Sequence, residues 1–217
     1  MEKIQILMSH ILFLFMFSFN PGFAQQPYEV EDIDMALIYY KLSGAELPWK
    51  EIALNYPEYL INPNAFARQD FLEKLEPIIL EQTNSLFQKK SLVVFTNLEL
   101  QEYDSDQTAF FLDFSDNSYL SYDSYPSAHE DIALTFDNSA QFATWFVNKE
   151  EARKITQQIG RNRAVMAIIE FVPVAAKRGK LSDSDMESKI IQANIIRITF
   201  QTLDTRIQLG SIEAKAK

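Results

Sequence analysis

The apolar period of this chain changes once, near residue 90, and that change limits the fold more than any other feature. Before it, apolar residues recur at helical spacing. From about Val30 to Leu42, Ile33, Leu37 and Tyr40 define such a face, and Gly44 supplies a stop. Pro48 opens a short helix, WKEIALNY, at a first-turn position that tolerates a missing N–H. Pro57 and Pro63 break the chain after it. The spacing predicts a stronger helix from Asp70, with Asp70 and Glu73 as its capping box. Phe71, Leu75, Ile78, Ile79, Gln82 and Leu86 would line one face, and Pro77 should bend the helix.

After the change come short runs rich in β-branched and aromatic residues: LVVFTNLEL, TAFFLDF and SYLSYDSY. Asp104-Ser105-Asp106 and Asp116-Asn117-Ser118 are turn chemistry between them, so an antiparallel meander is expected. IALTFDN, from Ile132, adds a strand. Phe142 to Val147 is ambiguous by period, though aromatic-rich like a strand. Asn148 and Glu151 form a capping box for a helix ending at Ile159, before Gly160. Ala164–Val174 and Ile190–Leu203 read as two long strands, and the polar AAKRGKLSDSDMES between them as a loop. Helices first and strands later predict an α+β fold. N-terminal helices would pack on a mainly antiparallel sheet of about five to six strands, with one further helix.

The chain begins with an apolar run, Ile11 to Phe19, behind one cation, Lys3. A membrane-spanning helix needs about 20 apolar residues, whereas a signal-peptide core needs roughly 7–15. Asn20-Pro21-Gly22 breaks the run, and Gly22 and Ala24 are small residues placed for cleavage. The expectation is a signal peptide over residues 1–24 and a single α+β domain over 25–217. No cysteine follows to carry a lipid or to form a disulfide. No stable membrane anchor should remain after processing, and a periplasmic or secreted location is expected. The 47% hydrophobic content is ample for a core held by burial alone.

The net charge of −10 is unevenly spread. Ser91 to Val147 holds ten acidic residues and no Lys or Arg, while Asn148 to Lys217 holds 13 basic and 8 acidic residues. An acidic chain is a poor binder of nucleic acid, which needs clustered cations. It is a poor ligand for an anionic membrane surface as well. The acids of the middle stretch should meet Arg153, Arg163, Arg197 and Arg206 from the basic end.

No catalytic constellation is legible. His129 is the single His after the leader, beside Glu130 and Asp131, and no nucleophile accompanies it. One His and no Cys exclude the usual zinc sites. Asp183, Asp185 and Glu187 alternate as in a calcium loop, but Ser188 stands where glycine is required and Asn194 where glutamate is. There is no phosphate-cradling glycine loop and no dinucleotide fingerprint. The sequence therefore supplies no catalytic residue, no metal site and no cofactor. The candidate interaction surface is the acidic, Tyr-bearing sheet around Asp104, Asp106, Tyr119, Asp123 and Tyr125, and its expected partner is a protein or a cationic ligand.

Three pieces carry a resemblance: NAFARQDFLEKL, LELQEYDSDQTAFFL and NKEEARKI. Phe66, Arg68 and Asp70, then Tyr103 and Asp104, then Ala152 and Arg153 resemble the pattern of a domain of unknown function found in exported bacterial proteins. The resemblance implies an exported bacterial protein of unassigned role and carries over no catalytic residue. Together these readings give a non-enzymatic binding or accessory module. The alternative is a carboxylate-based hydrolase in which His129 and acids meet in a cleft.

Overall fold

The computed structural model describes residues 28–114, 118–122, 131–181 and 187–215. The proposed leader, Asp123, Tyr125, His129, Asp183 and Asp185 lie outside the described residues. Helix α1 (Asp32–Ser43) starts at Glu31, where Glu31 and Asp34 form a reciprocal capping box, and ends at Gly44 in the left-handed region. Pro48 precedes the short helix α2 (Trp49–Ala53), and Pro57 occupies the first turn of α3 (Pro57–Leu60). Helix α4 (Ala65–Gln88) begins five residues before the expected start at Asp70. The reason is Asn64, whose side chain accepts from the Phe66 N–H at 2.9 Å and caps the helix directly after Pro63. The helix runs on through Pro77. Leu75, Ile79 and Leu86 are buried as expected, but Ile78 is 60% exposed. The buried stripe is completed by Thr83, which returns its hydroxyl to the Ile79 carbonyl at 2.7 Å.

Among the described residues the main sheet has seven strands. They are β1 (Tyr28–Glu29), β2 (Leu92–Glu99), β4 (Tyr119–Tyr122), β5 (Ile132–Phe136), β7 (Ala164–Lys180), β8 (Glu187–Thr202) and β9 (Gln208–Glu213). Their order is β1-β2-β7-β8-β5-β4, with β9 pairing β8 beyond the end of β5. A second sheet pairs β3 (Ala109–Phe111) with β6 (Thr144–Phe146). The short 3-10 turn Ser139–Phe142 and helix α5 (Lys149–Ile159) are the remaining described elements. The α+β class holds, with the helices at the N-terminus and the sheet largely antiparallel. Two pairs are parallel, β1 with β2 and β5 with β8.

The expected meander does not form. β2 pairs with β7 over its whole length, β3 joins the separate small sheet, and β4 pairs with β5. For β2 the physical reason is length: β7 offers it a ladder along its whole run, which the short strands nearby cannot. The expected loop from Ala175 to Ser188 is mostly strand as well. Lys177 pairs Ile190, Arg178 pairs Lys189, and the arms run on to Lys180 and Glu187. A polar composition does not prevent a ladder that is satisfied by backbone groups on both arms.

On one face of the central strands Leu92, Val94, Val165, Ile169, Phe171, Ile195, Ile198 and Phe200 are buried. Helix α1 lies across β7, β8 and β5. Two polar contacts fasten it. Asp34, 1% exposed, accepts from Gln82 Nε2 at 2.9 Å, the Tyr28 hydroxyl at 3.1 Å and the Glu31 N–H at 3.1 Å, tying α1 to α4 and β1. Lys189 of β8, 5% exposed, donates to the Tyr40 hydroxyl at 3.1 Å, with its ammonium 5.2 Å from that ring's centre. No described helix is long and apolar enough to cross a membrane.

Candidate functional site

Two contiguous hollows lie between α5 and the segment that joins β2 to β3. One, of about 600 Å³, is lined by Glu102, Tyr103, Phe110, Ile159, Arg161 and Arg163 among others. The second, of about 290 Å³, is lined by Tyr103, Lys149, Ala152, Arg153 and Gln157 among others. Tyr103 and Thr156 belong to both, so the two hollows form one groove.

Each wall has a local cause. Helix α5 starts where Asn148 accepts from the N–H groups of Glu150 and Glu151, at 3.1 and 2.9 Å. Its Asn148 Nδ2 also donates to the Glu151 carboxylate at 3.1 Å, so the predicted cap is present with Glu151 as a side-chain partner. Ala152 and Ile155 are buried, which fixes the helix's rotation and leaves Lys149 and Arg153 on the groove's side. Gly160, at φ 65°, ends the helix. The opposite wall is set by Asp104. Its Oδ1 accepts from the N–H groups of Asp106 and Gln107 at 2.8 and 2.9 Å, and its backbone pairs with Ala109. Those backbone N–H bonds hold the Asp104 carboxyl below its ordinary range.

Tyr103 stands in the middle. Its hydroxyl donates to the Val147 carbonyl at 3.0 Å, and its ring packs on Phe110 at 5.3 Å between centres. Phe110 continues to Trp145 at 5.9 Å, and Trp145 stacks on Phe200 of β8 at 4.6 Å. An unbroken aromatic row thus anchors the groove's floor in the main sheet.

The electrostatics of the groove are cationic. Arg163 binds Glu102 at 2.7 Å, and its backbone carbonyl takes the Leu100 N–H at 3.0 Å. Lys149, Arg153 and Arg161 form no ion pair among the described residues. Of the four arginines expected to face the acidic middle, Arg163 alone pairs with one of its acids among the described residues. Arg197 instead binds Glu170 at 2.7 Å and lies 3.9 Å from Glu213, both of the basic end. Arg206 lies against Met166, and Arg153 opens into the groove.

Of the expected interaction surface, Asp104 and Asp106 sit in the turn before β3, and Tyr119 sits on β4 at the rim of the main sheet. They belong to different sheets, and the Asp104 carboxylate is engaged in its own turn. The structure does bring Tyr103 together with Ala152 and Arg153, two of the three sequence pieces that carried the family resemblance. Lys149, Thr156 and Arg161 were not singled out by sequence. Their only signal was position on the exposed side of an amphipathic helix and just beyond its end. Among the described residues no three His, Cys, Asp or Glu side chains are grouped to hold a metal ion.

The fold and its groove define an α+β protein with a concave surface whose described lining carries four cations. Residues 56–158 match a family described as a domain of unknown function, DUF4852. The match takes in all three sequence pieces and both walls of the groove as far as Gln157, and it ends before β7. No curated protein and no solved structure matches the chain.

Proposed function

We propose that the chain is an exported bacterial binding or accessory module, without catalysis, whose partner lodges in the groove at Tyr103. The observation that carries this reading is the groove itself: two joined hollows of about 600 and 290 Å³ with Tyr103 in both. A concavity of that size with an aromatic floor offers a partner's side chains area to bury. Glu102, the carboxylate in the groove's described lining, is bound to Arg163 and is poorly placed to act as a base. The export half rests on the broken apolar run and on the small residues Gly22 and Ala24.

Cell fractionation with intact mass tests export. A soluble species beginning at Gln25 is expected, and a full-length cytoplasmic or membrane-extracted species overturns it. Photo-crosslinking tests the groove. A benzophenone amino acid placed at Ser105 or Gln157, both at the groove, should give a discrete adduct in the native host. The same probe at Glu73, on exposed α4, should not. Equal labelling from all three positions, or none, refutes the groove as the binding site.

A further inference from the structure

We infer that the groove takes an extended acidic peptide segment of a partner protein, an inference that rests on the binding reading above. Three observations point to that chemistry. The groove's described lining holds Lys149, Arg153, Arg161 and Arg163 and one acid, Glu102, with Asp104 and Asp106 in the turn behind Tyr103 and Ser105, in a chain whose net charge is −10. Cations concentrated in one concavity of an acidic protein focus the local field and select anionic partners.

The cations are also spaced. Lys149 and Arg153 stand one helical turn apart at one end, while Arg161 and Arg163 stand beyond the other end of α5. The eleven residues of α5 span about 16 Å at ~1.5 Å per residue. That is the length of about five residues of extended chain at ~3.3 Å each. A single phosphate is too small to span that helix, and a peptide with acids near its two ends is long enough. Between the ends, the ring of Tyr103 with Phe110, Ile159 and Ala152 offers an apolar middle for one or two uncharged side chains.

The shape excludes a membrane surface. Tyr103 and Phe110 lie at the floor of a concavity that a flat bilayer cannot enter. Arg163 adds a competition. Its Nη2 is held by Glu102 at 2.7 Å in the free protein, so an incoming carboxylate either takes the remaining guanidinium donors or displaces Glu102. The exposed pair is weak, as such pairs are, and can exchange partners readily.

The test is selection of a phage-displayed random octapeptide library on the mature protein, followed by anisotropy of the enriched peptides. Enrichment of sequences with two or more Asp or Glu separated by apolar residues is expected. Affinity should fall by at least about tenfold in the variant carrying Arg153→Glu and Arg161→Glu, and should fall steeply with salt. Arg163→Ala leaves Glu102 unpaired and should also weaken binding. The melting temperature of each variant shows whether it remains folded; Arg153 and Arg161 make no ion pair among the described residues, so their reversal should leave it nearly unchanged. Enrichment of basic or uncharged peptides, or unchanged binding to the reversed variant, overturns the inference. So does competition by inorganic phosphate at a concentration equal to that of the peptide, or comparable binding to phosphatidylglycerol vesicles. Crosslinks at Ser105 and Gln157 without acidic enrichment leave the groove as the binding site and remove only the acidic peptide.

Discussion

The side-chain amide of Asn138 stands in for a strand opposite Ile195. Asn138 Nδ2 donates to the Ile195 carbonyl and Oδ1 accepts from the Ile195 N–H, both at 2.8 Å. The position is the gap between two partners of β8. β5 pairs β8 as far as Ala193, and β9 takes over at Arg197. The Asp137 N–H donates to the Ala193 carbonyl on one side of the gap, and the Ala214 N–H donates to the Ile196 carbonyl on the other. The edge of the longest ladder is thereby continuous through a change of partner from parallel to antiparallel.

Replacing Asn138 with Ala should leave both backbone groups of Ile195 unsatisfied. Ile195 is 1% exposed, so the cost is that of a buried orphan, about 1–3 kcal/mol. Asn138→Asp retains an acceptor for the Ile195 N–H but loses the donor to its carbonyl, and should be less stable than wild type. Urea unfolding at neutral pH measures this. A midpoint for Asn138→Ala equal to wild type rejects the role.

Gly210 of β9 faces Trp145. A Cβ at Gly210 would lie 2.5 Å from Trp145 Cζ2, and the backbone there has φ 156°. Trp145 cannot retreat, since it is stacked on Phe200. Gly210→Ala is therefore expected to destabilise by about 1–3 kcal/mol, the range for forcing extra atoms into a packed site. It should also disturb the groove through the aromatic row, and the near-UV circular dichroism of Trp145 should change. Gly44→Ala, at φ 68° with open space around it, should cost less. A ranking with Gly44→Ala the more harmful contradicts the packing argument.

Glu170 should make stability depend on acid. Burial pushes its carboxyl up, but the Ser91 hydroxyl on Oε1, two Arg197 N–H groups on Oε2 and the charges of Arg197 and Lys90 outweigh burial and hold it below its ordinary value. A depressed folded value contributes stability that is present above the unfolded value and is lost as pH falls through the folded one. The wild type should lose stability between about pH 5 and pH 3 more steeply than Glu170→Gln. The variant should be the less stable of the two at about pH 7. Parallel curves for the two proteins in thermal melts over that range refute the assignment.

A chain ended near Ala175 should unfold or aggregate. β8 lies between β7 on one side and β5 and β9 on the other, and the truncation removes it with β9. β5 and β4 would then lose their attachment to the sheet, and the remaining part of β7 would gain a bare edge. Residues 25–175 melting cooperatively near the full-length temperature would show instead that the C-terminal strands are an accessory arm.

Local chemistry in the sequence was enough for the elements that depend on neighbours a few residues away. The helix face at Leu75, Ile79 and Leu86, the stops at Gly44 and Gly160, the Asn148 cap and the turn at Asp104 are all decided within one or two turns of chain. The α+β class came from the single change of period. What only the tertiary structure decided was pairing. The polar stretch from Ala175 to Lys180 becomes strand because β8 lies beside it, and β3 pairs with the distant β6 rather than along β2. The groove belongs to the same class. Tyr103 and Arg153 carry no mutual signal in the sequence, because a ladder register and the rotation of α5 about Ala152 and Ile155 bring them together. Composition and periodicity are sums over neighbours in the chain, whereas a register is a choice among distant partners, made by total buried area and satisfied backbone.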